Sequence, residues 1–435
     1  MKTTLFIAAL ACCAPICAQK PVNAEMEQRQ QLHSSCRVMM LPGSGEEASA
    51  DSVRALMEKF YVDQYRHFQD PEAPYFMMMS RDATLAMGIG GAVRMRGWYD
   101  FDGAMPYNGF IPYTIAVPEN PAKRRALKAT PAGTALYFRI IGVNKSFKNF
   151  SAFIQGNFDG GSGSEFKIKK SYCTINEVTV GYAPSAFCDI QANPPVIDAQ
   201  GPCGQTNNTS VLLQWTHPLR KGWTVAASAE FPKSNILADG TTTDEVADWL
   251  PDVVVYGQKE WARGMGHVRL SGLLRTVPYR DLVEQRNRTC MGFGMQLSAV
   301  VPATYSLTLY AEAVGGKGCE TYVNDLMVTT FDLINDTSRP GRMKAPWCMG
   351  YTAGAKYNFR PNLFATICAS QTCFRPGGSP QASTYKYGLY GAANVVWNMS
   401  PRLQVGAEYL IGKRMNYGGD SDDAQRVNLL FSFMF

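Results

Sequence analysis

The side chains in this sequence that could do chemistry are cations set at alternate positions. Arg94, Arg96, Arg139, Lys167, Lys169, Arg269, Arg275, Lys356, Lys386, Arg402, Arg414 and Arg426 fall on the polar phase of segments whose other phase is apolar. Asp100, Asp102, Asp159, Glu230, Glu312 and Glu408 share that phase. Twelve cations against six anions on one face would attract anions and repel cations, most strongly where a low-dielectric wall focuses the field. Any one of them could instead pair across neighbouring segments and simply brace the wall. The four histidines, His33, His67, His217 and His267, lie in no catalytic context, so no nucleophile with a placed base is legible and no enzyme is expected. The cysteines have neither paired CxxC spacing nor a metal set, and nothing calls for a metal or another cofactor. Because the basic residues alternate and form no patch, nucleic acid is not an expected partner. Lys123, Arg124 and Arg125 form a brief loop cluster suited to lipopolysaccharide phosphates or to solvent.

Alternating residues need strands to place them. From Leu85 onward, Leu85, Met87, Ile89, Val93, Met95, Tyr99 and Phe101 take odd positions, with Arg94, Arg96, Trp98, Asp100 and Asp102 between them. Only a strand sends such a period to two faces. The pattern predicts sixteen strands, near residues 85–101, 133–144, 147–158, 165–175, 177–188, 208–217, 222–232, 250–258, 263–275, 288–300, 304–315, 346–358, 362–374, 384–398, 402–415 and 424–435. Their connections alternate between short turns, such as 301–303 and 399–401, and long loops, such as 102–132, 189–207 and 316–345. This parity and the even strand number fit an antiparallel transmembrane β-barrel and no soluble sandwich or propeller. In the last segment Val427, Leu429, Phe431, Phe433 and Phe435 share the apolar phase, which must face lipid. Phe431, Phe433 and the terminal Phe435 also make the kind of ending that barrel-assembly machinery reads.

Composition agrees with that architecture. Of 435 residues 46% are hydrophobic and 18% charged, and past the first twenty no run approaches the roughly 20 apolar residues a spanning helix needs. Residues 1–18 have the charge, apolar core and small-residue exit of a signal peptide, with cleavage expected near Ala18; a lipoprotein with Cys12 or Cys13 as its mature N-terminus is the weaker alternative. Removing them takes three of the twelve cysteines and Lys2, leaving 41 basic residues against 36 acidic ones. Residues 19–83 read as a periplasmic segment with a helix near 51–68, started by Asp51 or Ser52 and carrying Val53, Leu56 and Phe60. That helix packs on the barrel or trimerises. The barrel itself takes residues 84–435.

Sixteen strands enclose more room than wall side chains can fill, so the lumen is a water-filled channel unless something plugs it. The residues before Leu85 read as helical and periplasmic, which leaves no separate plug. The loop near 183–208 is different, carrying Asp189, Pro194, Pro195, Asp198 and Gly201 in a stretch too apolar and too rigid for a solvated loop. It is expected to fold inward as a constriction or to pack over the rim or a neighbouring subunit. Cys188 and Cys203, near its ends, leave a disulfide open.

Gly88-Ile-Gly-Gly-Ala-Val-Arg-Met-Arg-Gly-Trp98, Pro195-Val-Ile-Asp-Ala-Gln-Gly-Pro202 and Leu250-Pro-Asp-Val253 resemble the DcaP-like porins, relatives of the phosphate-selective porins. The resemblance covers the exported chain loosely, and its motifs are moderately specific. It implies a homotrimeric outer-membrane porin with a periplasmic helical extension and passive uptake of small anions such as dicarboxylates or phosphate. It further implies that Arg139, Lys167 and Lys169 face the constriction and that Asp198 is the loop acid. Lysine stands where family members often carry arginine, and lysine cannot grip a carboxylate in two places. An adhesin or structural barrel without transport is the competing reading, supported by the long loops 102–132 and 316–345.

Overall fold

In the computed structural model the described residues are 23–41, 48–103, 105, 108–144, 148–159 and 165–435. The expected signal peptide and its cleavage site lie outside them. The polar-apolar alternation becomes sixteen barrel strands: β1 (Leu85–Asp102), β2 (Thr134–Asn144), β3 (Lys148–Asp159), β4 (Glu165–Ile175), β5 (Val178–Pro184), β6 (Thr209–Pro218), β7 (Trp223–Glu230) and β8 (Asp252–Trp261). The second half is β9 (Gly266–Asp281), β10 (Arg286–Pro302), β11 (Leu307–Lys317), β12 (Trp347–Arg360), β13 (Leu363–Arg375), β14 (Tyr385–Ser400), β15 (Leu403–Asn416) and β16 (Ser421–Met434). Each pairs antiparallel with the next, and β16 returns to β1 in a register running from Gln425↔Asp102 to Met434↔Ala92. Closure leaves the wall without an edge, so its backbone polar groups are satisfied in apolar surroundings.

The two phases separate as the sequence requires. On β16, Leu429, Phe431 and Phe433 are exposed on the outside, while Arg426, Asn428 and Ser432 are buried inside. On β1, Ile89, Val93, Met95 and Phe101 face out and Arg94, Arg96, Trp98 and Asp100 face in. An apolar belt of this kind is stable only in hydrocarbon, with Trp347, Tyr357 and Trp397 exposed toward strand ends as interfacial anchors. Phe435 exchanges backbone hydrogen bonds with Gly91, so the terminal residue is itself part of the closing seam.

The residues before β1 depart from expectation in form. Helix α1 (Ala24–Ser34) begins at Asn23, whose side chain accepts from the Glu25 N–H; helix α2 (Ala50–Tyr61) begins at Ser49. α2 stops at Tyr61, short of the 68 that the sequence predicts, and α1, which buries only Ala24 and Leu32, has no apolar period to announce it. Val62 is already extended, and the Asp63 carboxylate accepts the Tyr65 N–H in a local turn that competes with further helix. Strand residues Phe76–Ser80 then pair with β1 alongside Phe435, extending the seam, and Arg37–Leu41 pairs parallel with them. Both helices sit at the short-turn end: the Ala24 N–H bonds the Tyr305 carbonyl in the β10–β11 turn, and Phe60 and Leu56 pack with Met77, Met79, Ala86 and Ile141.

Candidate functional site: the barrel interior

The long loop after β5 runs inside the barrel and bridges opposite walls. Its backbone N–H groups are received by wall carboxylates: Ala186 by Glu230 on β7 (2.9 Å), Thr206 by Glu312 on β11 (2.6 Å), and Ile197 and Asp198 both by Glu408 on β15 (2.7 Å each). Asp189 is gripped by His267 (2.7 Å) and Ser298 (2.5 Å), with Arg269 at 3.9 Å. Ser298 and His267 meet on the same Asp189 oxygen, so the three form an anchor with no relay from base to nucleophile. Pro194 sits against Gly354, and the Asn394 amide donates to the Pro195 carbonyl. Asp198 accepts from the backbone of Phe110 and Gly201 at 2.9 Å and from the Tyr390 hydroxyl at 3.3 Å. Gly204 lies so close to Gly350 that a Cβ on Gly350 would stand 2.2 Å from the Gly204 carbonyl oxygen. Cys188 and Cys203 are both buried free thiols.

Two further segments share the interior. Residues 318–332 of the loop after β11 fold in over this crossing loop, where Asn324 donates to the carbonyls of Gln200, Gly201 and Pro202. From the other mouth, residues 62–75 leave α2 and enter as an irregular strap. Asp70 is its centre, held by Lys169 (3.0 Å), Lys170 (2.6 Å) and the Gln155 amide (3.1 Å). Arg94 donates to the Gln69 carbonyl (2.5 Å), Arg96 to the Gln69 side chain, and Arg402 to the carbonyls of Ala73 (3.3 Å) and Pro74 (2.9 Å). Gln69 also joins strap to crossing loop through the carbonyls of Val196 and Asp198.

This arrangement charges the strap. Burial opposes the Asp70 carboxylate, yet Lys169 and Lys170 hold its pKa well below the usual range. Burial likewise opposes Glu25, and Lys356, 2.9 Å away, together with Arg29 brings its pKa down to about 2. Burial pushes His67 down to about 3, with Lys169, Lys170 and Arg94 adding to the effect and Asp70 opposing it.

The strap corrects the expectation that nothing N-terminal enters the lumen. It also narrows what was expected to be an open bore, because each of the sixteen strands has inward side chains that are buried. A cavity of about 60 Å³ beside Glu25, Asp70, Glu72, Arg94 and Lys356 admits water only.

The predicted cations are distributed unevenly in this interior. Arg426 is fully buried on Asp100 (2.6 Å), and Arg275 lies between Asp252 and Asp332 at 3.4 and 3.3 Å. Arg269 donates to Gln258 and the Cys188 carbonyl, and Arg414 to the carbonyls of Tyr113 and Ile115 in the first long loop. Arg139 bonds the Val62 carbonyl at the end of α2 (2.6 Å). Lys167 is exposed on Glu165 (2.7 Å), and Lys386 is exposed over the Tyr417 ring in a rim loop. Lys170, Gln69 and Asp70 were not found from sequence. The register slips between Gln155 and Gly156, so Lys169 and Lys170 both reach inward, which strict alternation forbids. The adjacency of Lys169 and Lys170 ahead of inward Tyr172 was the available signal.

No protein-family model matches the chain, and no curated protein matches it in sequence. Solved structures share its fold. The outer membrane channel DcaP of Acinetobacter baumannii superposes with a TM-score of 0.70 at 19% identity over 81% of this chain and 98% of that one. The anion-selective porin from Comamonas acidovorans gives 0.52 at 11% identity, covering 81% and 100%. A loop-deleted OmpT, an outer membrane protein of Vibrio cholerae, gives 0.51 at 8%, covering 81% and 100%.

Proposed function

We propose that this protein is a bacterial outer-membrane channel for passive diffusion of small hydrophilic solutes, with a preference for anions. The observation that carries the reading is a closed sixteen-stranded wall, apolar outside, whose inner face presents Arg94, Arg96, Lys169, Lys170 and Arg402 together. The inward acids Glu230, Glu312 and Glu408 are engaged by loop N–H groups, so the cations near the strap dominate the field that a solute meets. The fold of DcaP and of the anion-selective porin supports the same reading. The crossing loop acts as a constriction, built on Asp189, Pro194, Pro195, Asp198 and Gly201. Export by a signal peptide, insertion by the barrel-assembly machinery and assembly as a trimer belong to this proposal.

Planar-bilayer conductance under a salt gradient tests it. The expected result is discrete conductance steps with a reversal potential on the anion side. Cation selectivity overturns the anion preference, and folded protein without conductance favours the adhesin reading.

A further inference from the structure

The inference rests on the channel reading and concerns what occupies its basic cluster. Most buried lumen cations have partners supplied by the wall or by the loops after β1, β5 and β11: Arg426 has Asp100, Arg275 has Asp252 and Asp332, Arg269 has Gln258 and Asp189. Arg94, Arg96, Lys169, Lys170 and Arg402 do not share this self-sufficiency. Their partners come from the strap, as the Asp70 carboxylate, the Gln69 side chain and the carbonyls of Tyr65, Gln69, Ala73 and Pro74, with only the carbonyls of Ala132 and Gly133 added from outside it. Even so, the guanidinium Nε atoms of Arg94, Arg96 and Arg402 have no hydrogen-bond partner among the described residues. The cluster therefore has more donor capacity than the strap uses.

A carboxylate between two ammonium groups with an amide donor alongside is how such a cluster would hold a solute's carboxylate. The strap has neither helix nor strand over residues 62–75; besides the polar contacts, Tyr65 packs with Tyr137, Phe153, Tyr172 and Leu212, and Phe68 packs on Phe364. Undocking toward the mouth from which the strap enters would let water replace the hydrogen bonds of the charged groups, at the cost of the packing of Tyr65 and Phe68.

We propose that the strap is a built-in ligand: Asp70 occupies the place where the channel binds a carboxylate-bearing solute, and passage requires residues 62–75 to move off Arg94, Arg96, Lys169, Lys170 and Arg402.

The test is bilayer conductance of the full chain as wild type, Asp70→Lys, and Asp70→Lys combined with Lys169→Asp and Lys170→Asp. Asp70→Lys sets a cation against two lysines and is expected to raise time-averaged conductance about tenfold or more; the charge exchange returns it toward wild type. Sodium acetate replacing chloride at equal ionic strength is expected to raise the conductance of wild type relative to that of Asp70→Lys under the same exchange. Gln69→Ala, which alters no charge, covers the case in which Asp70→Lys does not fold, and a smaller rise is expected from it. Equal porin-sized conductance in wild type and every folded variant overturns the strap and leaves the channel standing. Silence in all folded variants overturns the channel reading, and the strap with it.

Discussion

The crossing loop and the strap both run through the barrel, and the wall holds them with opposite chemistry. Wall acids hold the loop: Glu230, Glu312 and Glu408 accept its backbone N–H groups, and its Phe187, Val196 and Ile197 are buried. Wall bases hold the strap, through carbonyls and the Asp70 carboxylate. A loop carrying apolar side chains and packed on Gly350 loses burial if it moves, whereas the strap, which packs Tyr65 and Phe68 on the wall, adds to that packing charged contacts that water can replace. The inward acids and bases, which looked in the sequence like one mixed population, are thus divided between a fixed element and an exchangeable one.

Glu408→Leu should break the fixed side most severely. It leaves the N–H groups of Ile197 and Asp198 and the amides of Asn394 and Asn428 without their acceptor in a buried site. At about 1–3 kcal/mol for each stranded donor, a loss of about 4 kcal/mol or more is expected, read as a lower denaturant midpoint for the folded barrel. A loss below about 1 kcal/mol would mean that the loop is no better anchored than the strap.

Arg402→Met removes both donors to Ala73 and Pro74, and the expected loss of about 1–3 kcal/mol falls on strap docking, not on the barrel. Faster hydrogen exchange across 62–75, with an unchanged unfolding midpoint, is the outcome that fits. Mild acid should act in the same direction. His67 is surrounded by Asp70, Lys169, Lys170 and Arg94, and its folded pKa of about 3 lies below its ordinary 6.5. The docked strap therefore binds fewer protons, and docking is fully stable above pH 6.5 and weakens as pH falls toward 3. Glu25, held at about 2 from an ordinary 4.5, keeps its contribution above pH 4.5 and loses it as pH falls through about 2. Within the first unit below 6.5 the expected effect is about 1 kcal/mol, seen as rising exchange in 62–75. A strap that tightens on acidification would contradict the assignment.

Sequence carried the wall and missed much of what fills it, for a physical reason. Period two is imposed wherever a strand separates lipid from interior, so Val427 to Phe435 and Leu85 to Phe101 declared their faces without any tertiary information. The crossing loop was conspicuous because prolines and apolar residues are unusual in solvent. The strap has no period, since an irregular segment is placed by its partners, and those partners lie about 100 residues away in Lys169 and Lys170. Bulges hid the rest: slips at Gln155/Gly156 and Tyr385/Tyr387 shift the phase, moving Lys170 inward and leaving Lys386 on the rim.

That same slip yields the subtlest test, because Lys167 and Lys169 are two positions apart on β4 and alternation makes them equivalent. The structure separates them. Lys167 is exposed on Glu165, an arrangement that solvent and salt screen, whereas Lys169 reaches Asp70 beside buried Lys170. Lys167→Gln should leave stability and reversal potential unchanged within error. Lys169→Gln with Lys170→Gln should loosen the strap and move the reversal potential toward zero, because the opened path would have lost two of its five clustered cations. Equal shifts from the two substitutions would return β4 to simple alternation and remove the distinction between a basic rim and a basic binding cluster.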